Sequence, residues 1–142
     1  MANILVIDDE AILLSLICTV LRAEGHTVRA VSDPLLAMDA FGPGEPPIDL
    51  LLSEIDTKPI TGLELVKRLS KATFTSQVLF TSGYMALARA VATSLGTRSI
   101  LEKPFTAGQL RTAVNRSLAK RRTKPSAEAG VPVPEAALTL NG

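Results

Sequence analysis

Residues 4–10 read Ile-Leu-Val-Ile-Asp-Asp-Glu, and this stretch decides the fold. Four consecutive aliphatic residues predict a strand buried on both faces, because parallel strands covered by helices read as continuous apolar runs. The acidic residues that follow mark its carboxyl end. Longer amphipathic segments separate this strand from four further predicted strands, at 27–31, 50–52, 78–80 and 99–101. The alternation predicts an α/β fold, a five-stranded doubly wound parallel sheet with helices on both faces.

Five helices are predicted from their start and stop signals. The last has the clearest start, because Thr106-Ala107-Gly108-Gln109 fits a capping box. The second begins with Asp33 as N-cap and Pro34 at the first helical position. The predicted helices are about 11–24, 34–41, 63–69, 84–95 and 107–121, with Leu63, Val66 and Leu69 as the buried face of the third, and Leu110, Ala113, Val114 and Leu118 as that of the fifth.

The chain divides into one domain and a tail. Residues 1–121 carry all the strand and helix signals and are long enough for one hydrophobic core. Residues 122–142 are rich in Ala, Pro and Glu, which predicts a disordered tail. The formal net charge of +1 gives no electrostatic reason to bind nucleic acid or an acidic membrane. No basic leader starts the chain, and no apolar stretch approaches the ~18 residues of a membrane span. We therefore expect a cytoplasmic protein.

Polar side chains follow four of the five predicted strands, at the point where each strand ends. Because the carboxyl ends of parallel strands share one edge of the sheet, these side chains converge on one pocket. Carboxylates gathered there repel one another unless a cation lies between them. A ligand set made only of oxygen atoms suits Mg²⁺, which favours a phosphate as a further partner. The side chains are Asp8 and Asp9 after the first strand, Glu54 at the third, Thr81 and Ser82 at the fourth, and Lys103 after the fifth.

Each of these features taken alone has a structural explanation. An acidic pair after a strand is usually a surface turn, and Ser82-Gly83 is ordinarily a turn former. Glu54 alone is a strand-end charge, and Lys103-Pro104-Phe105 can simply lead into the capped last helix. These explanations require four independent coincidences at one edge, so we favour a binding site.

Four motifs follow one another along the chain: Ile-Leu-Val-Ile-Asp-Asp-Glu (4–10), Asp-Leu-Leu-Leu-Ser-Glu-Ile (49–55) with Gly62, Phe-Thr-Ser-Gly-Tyr (80–84) and Leu-Glu-Lys-Pro-Phe (101–105). In this order they resemble the receiver domains of bacterial response regulators, over about residues 2–121. The resemblance implies a flavodoxin-like sheet with strand order 2-1-3-4-5, the order known for the chemotaxis regulator of this family. It also implies a role in two-component phosphorelay signal transduction.

The resemblance gives a role to each polar residue at the sheet edge. In the family, an acid pair positions Mg²⁺, a hydroxyl takes part in the switch, and a lysine pairs with the phosphoryl group. The lysine's bond to the following proline, here Pro104, is usually cis, which is a minority form for X–Pro bonds. The matching residues are Asp8 and Asp9 for the acid pair, Ser82 for the hydroxyl with Thr81 less favoured, and Lys103 for the lysine.

The phosphoacceptor position departs from the family pattern. Counted from Asp49, the aspartate of the family falls on Glu54, whose extra methylene places the carboxylate ~1.5 Å further out. We interpret Glu54 as a built-in mimic of the phosphorylated state or as a dead acceptor. Asp56, two residues on, is the alternative acceptor. We expect no stable phosphorylation, and Mg²⁺ bound weakly or lost by the candidate ligands Asp8, Asp9, Glu54 and Asp56.

Two other positions depart in the same direction. Lys58 stands where the family has a loop proline, which here follows as Pro59. Ile100 stands where many members carry a Tyr or Phe that reports phosphorylation. Together with Glu54, these departures indicate a relaxed or abandoned switch.

The favoured function is a stand-alone receiver domain without enzymatic activity, acting through contacts with a protein such as a histidine kinase or a downstream regulator. The resemblance places the contact surface on the last two helices and their adjoining strand. A conventional receiver that accepts phosphate with Mg²⁺ is the near alternative. A haloacid-dehalogenase-like phosphatase needs a second Asp where this chain has Glu10, and a dinucleotide-binding domain needs a Gly-rich turn there. Both are disfavoured.

Overall fold

The described part of the chain forms a sheet of five parallel strands in the order β2-β1-β3-β4-β5. The computed structural model describes residues 1–71, 74–95 and 99–122. The strand order and the fold class are those that the sequence predicted. Strands β3 and β4 reach two residues further than predicted, so that Glu54 lies in the sheet. The strands are β1 Asn3–Ile7, β2 Thr27–Val31, β3 Leu50–Glu54, β4 Gln77–Ser82 and β5 Ile100–Glu102.

A helix follows each strand. The helices are α1 Ala11–Ala23, α2 Pro34–Ala37, α3 Gly62–Leu69, α4 Met85–Leu95 and α5 Ala107–Arg122. The predicted caps are present. The Leu35 N–H donates to the Asp33 carboxylate over 2.8 Å. At the start of α5, Thr106 and Gln109 exchange hydrogen bonds of 2.8 and 3.0 Å between side chain and backbone. Gly25, just after α1, has a φ of +92°, a conformation that favours glycine.

The second helix is shorter than predicted. Only residues 34–37 are α-helical, and Met38–Phe41 continues as a 3₁₀ helix up to Gly42. The tighter turn appears at its end, where the Gly42 N–H donates to the carbonyl of Asp39 over 3.3 Å. The segment still spans the predicted range and still buries Ala37 and Ala40.

Two apolar layers cover the two faces of the sheet. Along β1, Leu5 and Ile7 pack with residues of α2, α3 and α4, whereas Ile4 and Val6 pack with residues of α1 and α5. Successive side chains of a strand point to opposite faces. A strand covered on both faces therefore contains a continuous apolar run, as β1 does at residues 4–7. Cys18 of α1 fills the second layer as a small buried side chain.

The buried face of α3 differs from the prediction by one position. Leu65, Val66 and Leu69 are buried, whereas Leu63 is only partly buried. Leu65 and Leu69 are four residues apart and therefore lie one above the other on the helix. In α5, Leu110 and Val114 of the predicted stripe are buried, and Ala113 and Leu118 are partly buried against the same core.

Helix α5 extends to Arg122, one residue into the predicted tail. Residues 123–142 and the predicted stop of α4 at Gly96 lie outside the described residues. No helix in the described ranges is long and apolar enough to cross a membrane.

Candidate functional site

The carboxyl ends of four strands bring charged and hydroxyl side chains to one edge of the sheet. Ile4 and Val6 of β1 point to the face covered by α1 and α5. Because side chains along a strand alternate between the two faces, Asp8 points to the same face. The same alternation places Glu54 there after Leu52, and Lys103 there after Leu101. The Lys103 N–H donates to the carbonyl of Ser82 over 2.8 Å, which holds the lysine beside β4.

Lys103 binds two buried carboxylates at once. Its ammonium donates to Asp8 Oδ2 over 2.9 Å and also forms an ion pair with Glu54 Oε2. The Asp8 side chain is 1% exposed and that of Lys103 is 19% exposed. The other oxygen of Asp8 accepts the N–H of Glu10 over 2.8 Å. A buried charge is stable only when it is paired and hydrogen-bonded, and Lys103 meets this condition for both acids.

The pKa values reflect this competition between burial and pairing. Burial raises the pKa of Glu54, against the hydrogen bond and charge of Lys103, which lower it. Burial also lowers the pKa of Lys103, but its hydrogen bonds to Glu54 and Asp8 outweigh burial and the pKa is raised. Lys103 therefore stays charged throughout the neutral range.

The hydroxyl next to Glu54 belongs to Thr81. Its Oγ1 donates to Glu54 Oε2 over 3.5 Å, and the two residues are register partners of β3 and β4. Ser82, the favoured candidate by resemblance, is buried, and its Oγ accepts the N–H of Tyr84 over 2.9 Å at the entry to α4. Adjacent residues of β4 point to opposite faces, so Thr81, the less favoured candidate, shares the face of Glu54. The switch role of Ser82 stays a prediction.

The expected Mg²⁺ ligands do not gather into a metal site. Asp9 is exposed and Asp56 is partly buried. In the described ranges, no group of three or more His, Cys, Asp and Glu side chains could hold a metal ion. The two carboxylates that do converge share the Lys103 ammonium, which lies where a cation between them would lie. In this geometry Asp8 and Glu54 are paired by Lys103, and the predicted ligand set of Asp8, Asp9, Glu54 and Asp56 stays a prediction.

The loop after Glu54 depends on residues that sequence reasoning left without a role. A Cβ on Gly62 would lie 2.5 Å from the carbonyl oxygen of Glu54, so only glycine allows α3 to start this close to β3. The Gly62 N–H donates to the Ile55 carbonyl over 2.9 Å. Buried Thr57 closes the loop by donating to the carbonyl of Ile60 over 2.7 Å. The sequence motif of residues 49–55 with Gly62 already pointed to Gly62, whereas no sequence feature pointed to Thr57.

Two peptide bonds near the site are cis. The bond between Lys103 and Pro104 is cis as predicted, and the bond between Lys58 and Pro59 is cis as well.

Comparison with known proteins agrees with the geometry. The family model described as response regulator receiver domain matches residues 4–115. The chain belongs to this family. It is a receiver domain of two-component signalling, and such domains are generally signalling modules rather than enzymes.

Among curated relatives, the receiver domain is 31% identical over 105 residues to the transcriptional regulatory protein CpxR of Escherichia coli, an alignment that covers 74% of this chain and 44% of CpxR. The chain spans about half the length of the curated relatives it matches.

Two solved structures show the same similarity. A response regulator receiver domain protein from Clostridium thermocellum has a TM-score of 0.72 and 27% identity, covering 86% of this chain and 98% of that one. NtrX from Brucella abortus, solved in complex with ADP, has a TM-score of 0.79 and 30% identity, covering 93% of this chain and 30% of that one.

Proposed function

We propose that this receiver domain signals through protein–protein contacts without a phosphorylation cycle, with Glu54 at the phosphoacceptor position. One observation carries the proposal: the Glu54 carboxylate is buried and bound by Lys103. The family pairs this lysine with a phosphoryl group, as the resemblance implies. In this chain the Glu54 carboxylate already holds the lysine without a phosphoryl group.

The length of the side chain explains how glutamate does this. One extra methylene moves the carboxylate ~1.5 Å outward, toward the place of a phosphoryl oxygen. A phosphoryl group carries about −1.5 to −2 charges at pH 7, so glutamate supplies only part of that charge. The Thr81 hydroxyl donates to Glu54 Oε2 over 3.5 Å, so this oxygen is bound by both Thr81 and Lys103.

Receiver domains typically bind Mg²⁺ at their phosphorylation site. We propose that binding here is weak or lost, because an incoming ion must displace the Lys103 ammonium from Asp8 and Glu54. Mg²⁺ also demands near-ideal octahedral geometry, which the lengthened side chain disturbs.

The partner we propose is a protein such as a histidine kinase or a downstream regulator, and not nucleic acid. The curated relatives are named as transcriptional regulators, and this chain corresponds to the receiver part of them. A cytoplasmic location fits such a partner and stays a prediction.

Intact-mass measurement after incubation with acetyl phosphate and Mg²⁺ tests the proposal. We expect no stoichiometric phosphoryl gain for the wild type and a clear gain for Glu54→Asp, which restores the family's acceptor. Glu54→Asp/Asp56→Asn is the control that assigns the gain to position 54. A stoichiometric gain on the wild type, mapped to Glu54 or Asp56, would show a conventional phosphoaccepting receiver instead.

A further inference from the structure

The outward side of α1 carries an uncharged, largely apolar ridge. Ile12 and Leu16, one turn apart, are 83% and 55% exposed. Thr19 and Ala23 are also exposed and continue the line at helical spacing. The Thr19 hydroxyl is bound within the helix, to the carbonyl of Ser15 over 3.0 Å. The outward face of a surface helix ordinarily carries charged or polar residues, so this ridge indicates a covered surface.

The chain supplies an apolar segment outside the described core. Residues 131–140 read Val-Pro-Val-Pro-Glu-Ala-Ala-Leu-Thr-Leu and contain one charge. Val131 and Val133 are two residues apart, as are Leu138 and Leu140. This spacing places both members of each pair on one side of an extended segment. Pro132 and Pro134, each directly after a valine, favour an extended backbone.

The position of the tail allows this segment to reach the ridge. Helices α1 and α5 contact one another. Each follows a strand of the same parallel sheet, so their carboxyl ends lie at the same edge. The tail therefore starts after Arg122 near the Ala23 end of the ridge. From Ala23 to Leu16 is ~10 Å along the helix, and residues 123–130 span up to ~26 Å when extended.

We propose that residues 131–140 dock on the α1 ridge, with the side chains of Leu138 and Leu140 against Ile12 and Leu16. The tail is then an intramolecular competitor for any protein that binds this face. Because α1 starts two residues after Asp9, the docked segment also borders the acidic end of β1.

Disulfide trapping in the full chain tests the docking. Two variants share Cys18→Ala and Ala136→Cys, because Ala136 lies on the same side of an extended segment as Leu138 and Leu140. They differ in carrying either Leu16→Cys or Leu36→Cys. Leu16 and Leu36 are both 55% exposed, but Leu36 lies in α2, on the other face of the sheet. Under mild oxidation, we expect the intramolecular disulfide to Leu16→Cys to form at least about tenfold faster, because docking raises the effective concentration of the tail there.

Non-reducing gels and intact mass separate the outcomes. Adding Ile12→Ser to the Leu16→Cys variant should slow its closure to the rate of the Leu36→Cys variant. Equal rates for the two pairs overturn the docking. Disulfide-linked dimers as the main Leu16→Cys product also overturn it, because the ridge then binds a second copy. Thermal melts check that all variants are folded. We expect them to fold, because the substituted leucines are exposed.

Discussion

Lys103→Met tests whether the lysine is the counter-charge of the site. The substitution keeps a long apolar side chain and removes the ammonium that Asp8 and Glu54 share. Removing one partner of a buried ion pair costs ~3–5 kcal/mol. Lys103 is 19% exposed, and Glu54 can take up a proton in its absence. We therefore expect the free energy of unfolding at pH 7 to fall by about 3 kcal/mol, the lower end of that range.

The pH dependence of this loss distinguishes charge from packing. Burial already raises the pKa of Glu54, and Lys103 is what lowers it, so Lys103→Met raises the pKa further. A carboxyl group with a higher pKa in the folded than in the unfolded state binds more protons when folded. Its stabilising contribution is full below the unfolded pKa of 4.5 and is lost as the pH rises through the folded pKa. The loss caused by Lys103→Met should therefore be smaller at pH 5 than at pH 7.

Urea unfolding followed by circular dichroism at both pH values measures these losses. Lys67→Met, on the exposed side of α3, is the matched control and should change stability by less than about 0.5 kcal/mol. Adding Glu54→Gln to Lys103→Met removes one unpaired carboxylate and should recover part of the loss. If Lys103→Met behaves like Lys67→Met, or loses the same stability at pH 5 and pH 7, Lys103 is not the counter-charge of the site.

Two further predictions concern the metal and the loop. In isothermal titration, Lys103→Met should bind Mg²⁺ more tightly than the wild type, because the ammonium no longer competes for the carboxylates; equal affinities would contradict the ion network as the cause of weak binding. Gly62→Ala should lower the free energy of unfolding by ~1–3 kcal/mol in urea, because its Cβ would lie 2.5 Å from the Glu54 carbonyl oxygen. Gly83→Ala, whose Cβ would meet nothing within 4 Å, is the control, and similar losses in both variants would contradict the steric explanation.

The fold was predictable because local signals and burial agree. Strands covered on both faces contain continuous apolar runs, so residues 4–7 of β1 and 50–52 of β3 stand out in the sequence. Gly25 and the Thr106 capping box mark helix ends. Predictions that required tertiary contacts were less accurate. The face of α3 was shifted because Leu63 and Leu65 are equally apolar, and only packing determines that Leu65 is buried.

The members of the site were predictable from the sequence, but their pairing was not. Strand ends brought Asp8, Glu54 and Lys103 to one edge, as the motifs indicated. Whether their charges are balanced by Mg²⁺ or by the lysine depends on the reach of each side chain, which the sequence does not give. Asp9 is an acid of the same motif, yet it is exposed and stands apart from this network.

The alternation of the strands explains why one methylene changes the chemistry of the whole edge. Asp8, Glu54 and Thr81 share the face covered by α1 and α5, and Lys103 approaches from the same face, whereas Ser82 points to the other. A carboxylate that extends ~1.5 Å further on this face reaches the lysine directly. The lysine then serves as the cation between Asp8 and Glu54. With Glu54 at the acceptor position, as we propose, the change from the family's aspartate accounts for the bound Lys103 and for the proposed weak binding of Mg²⁺.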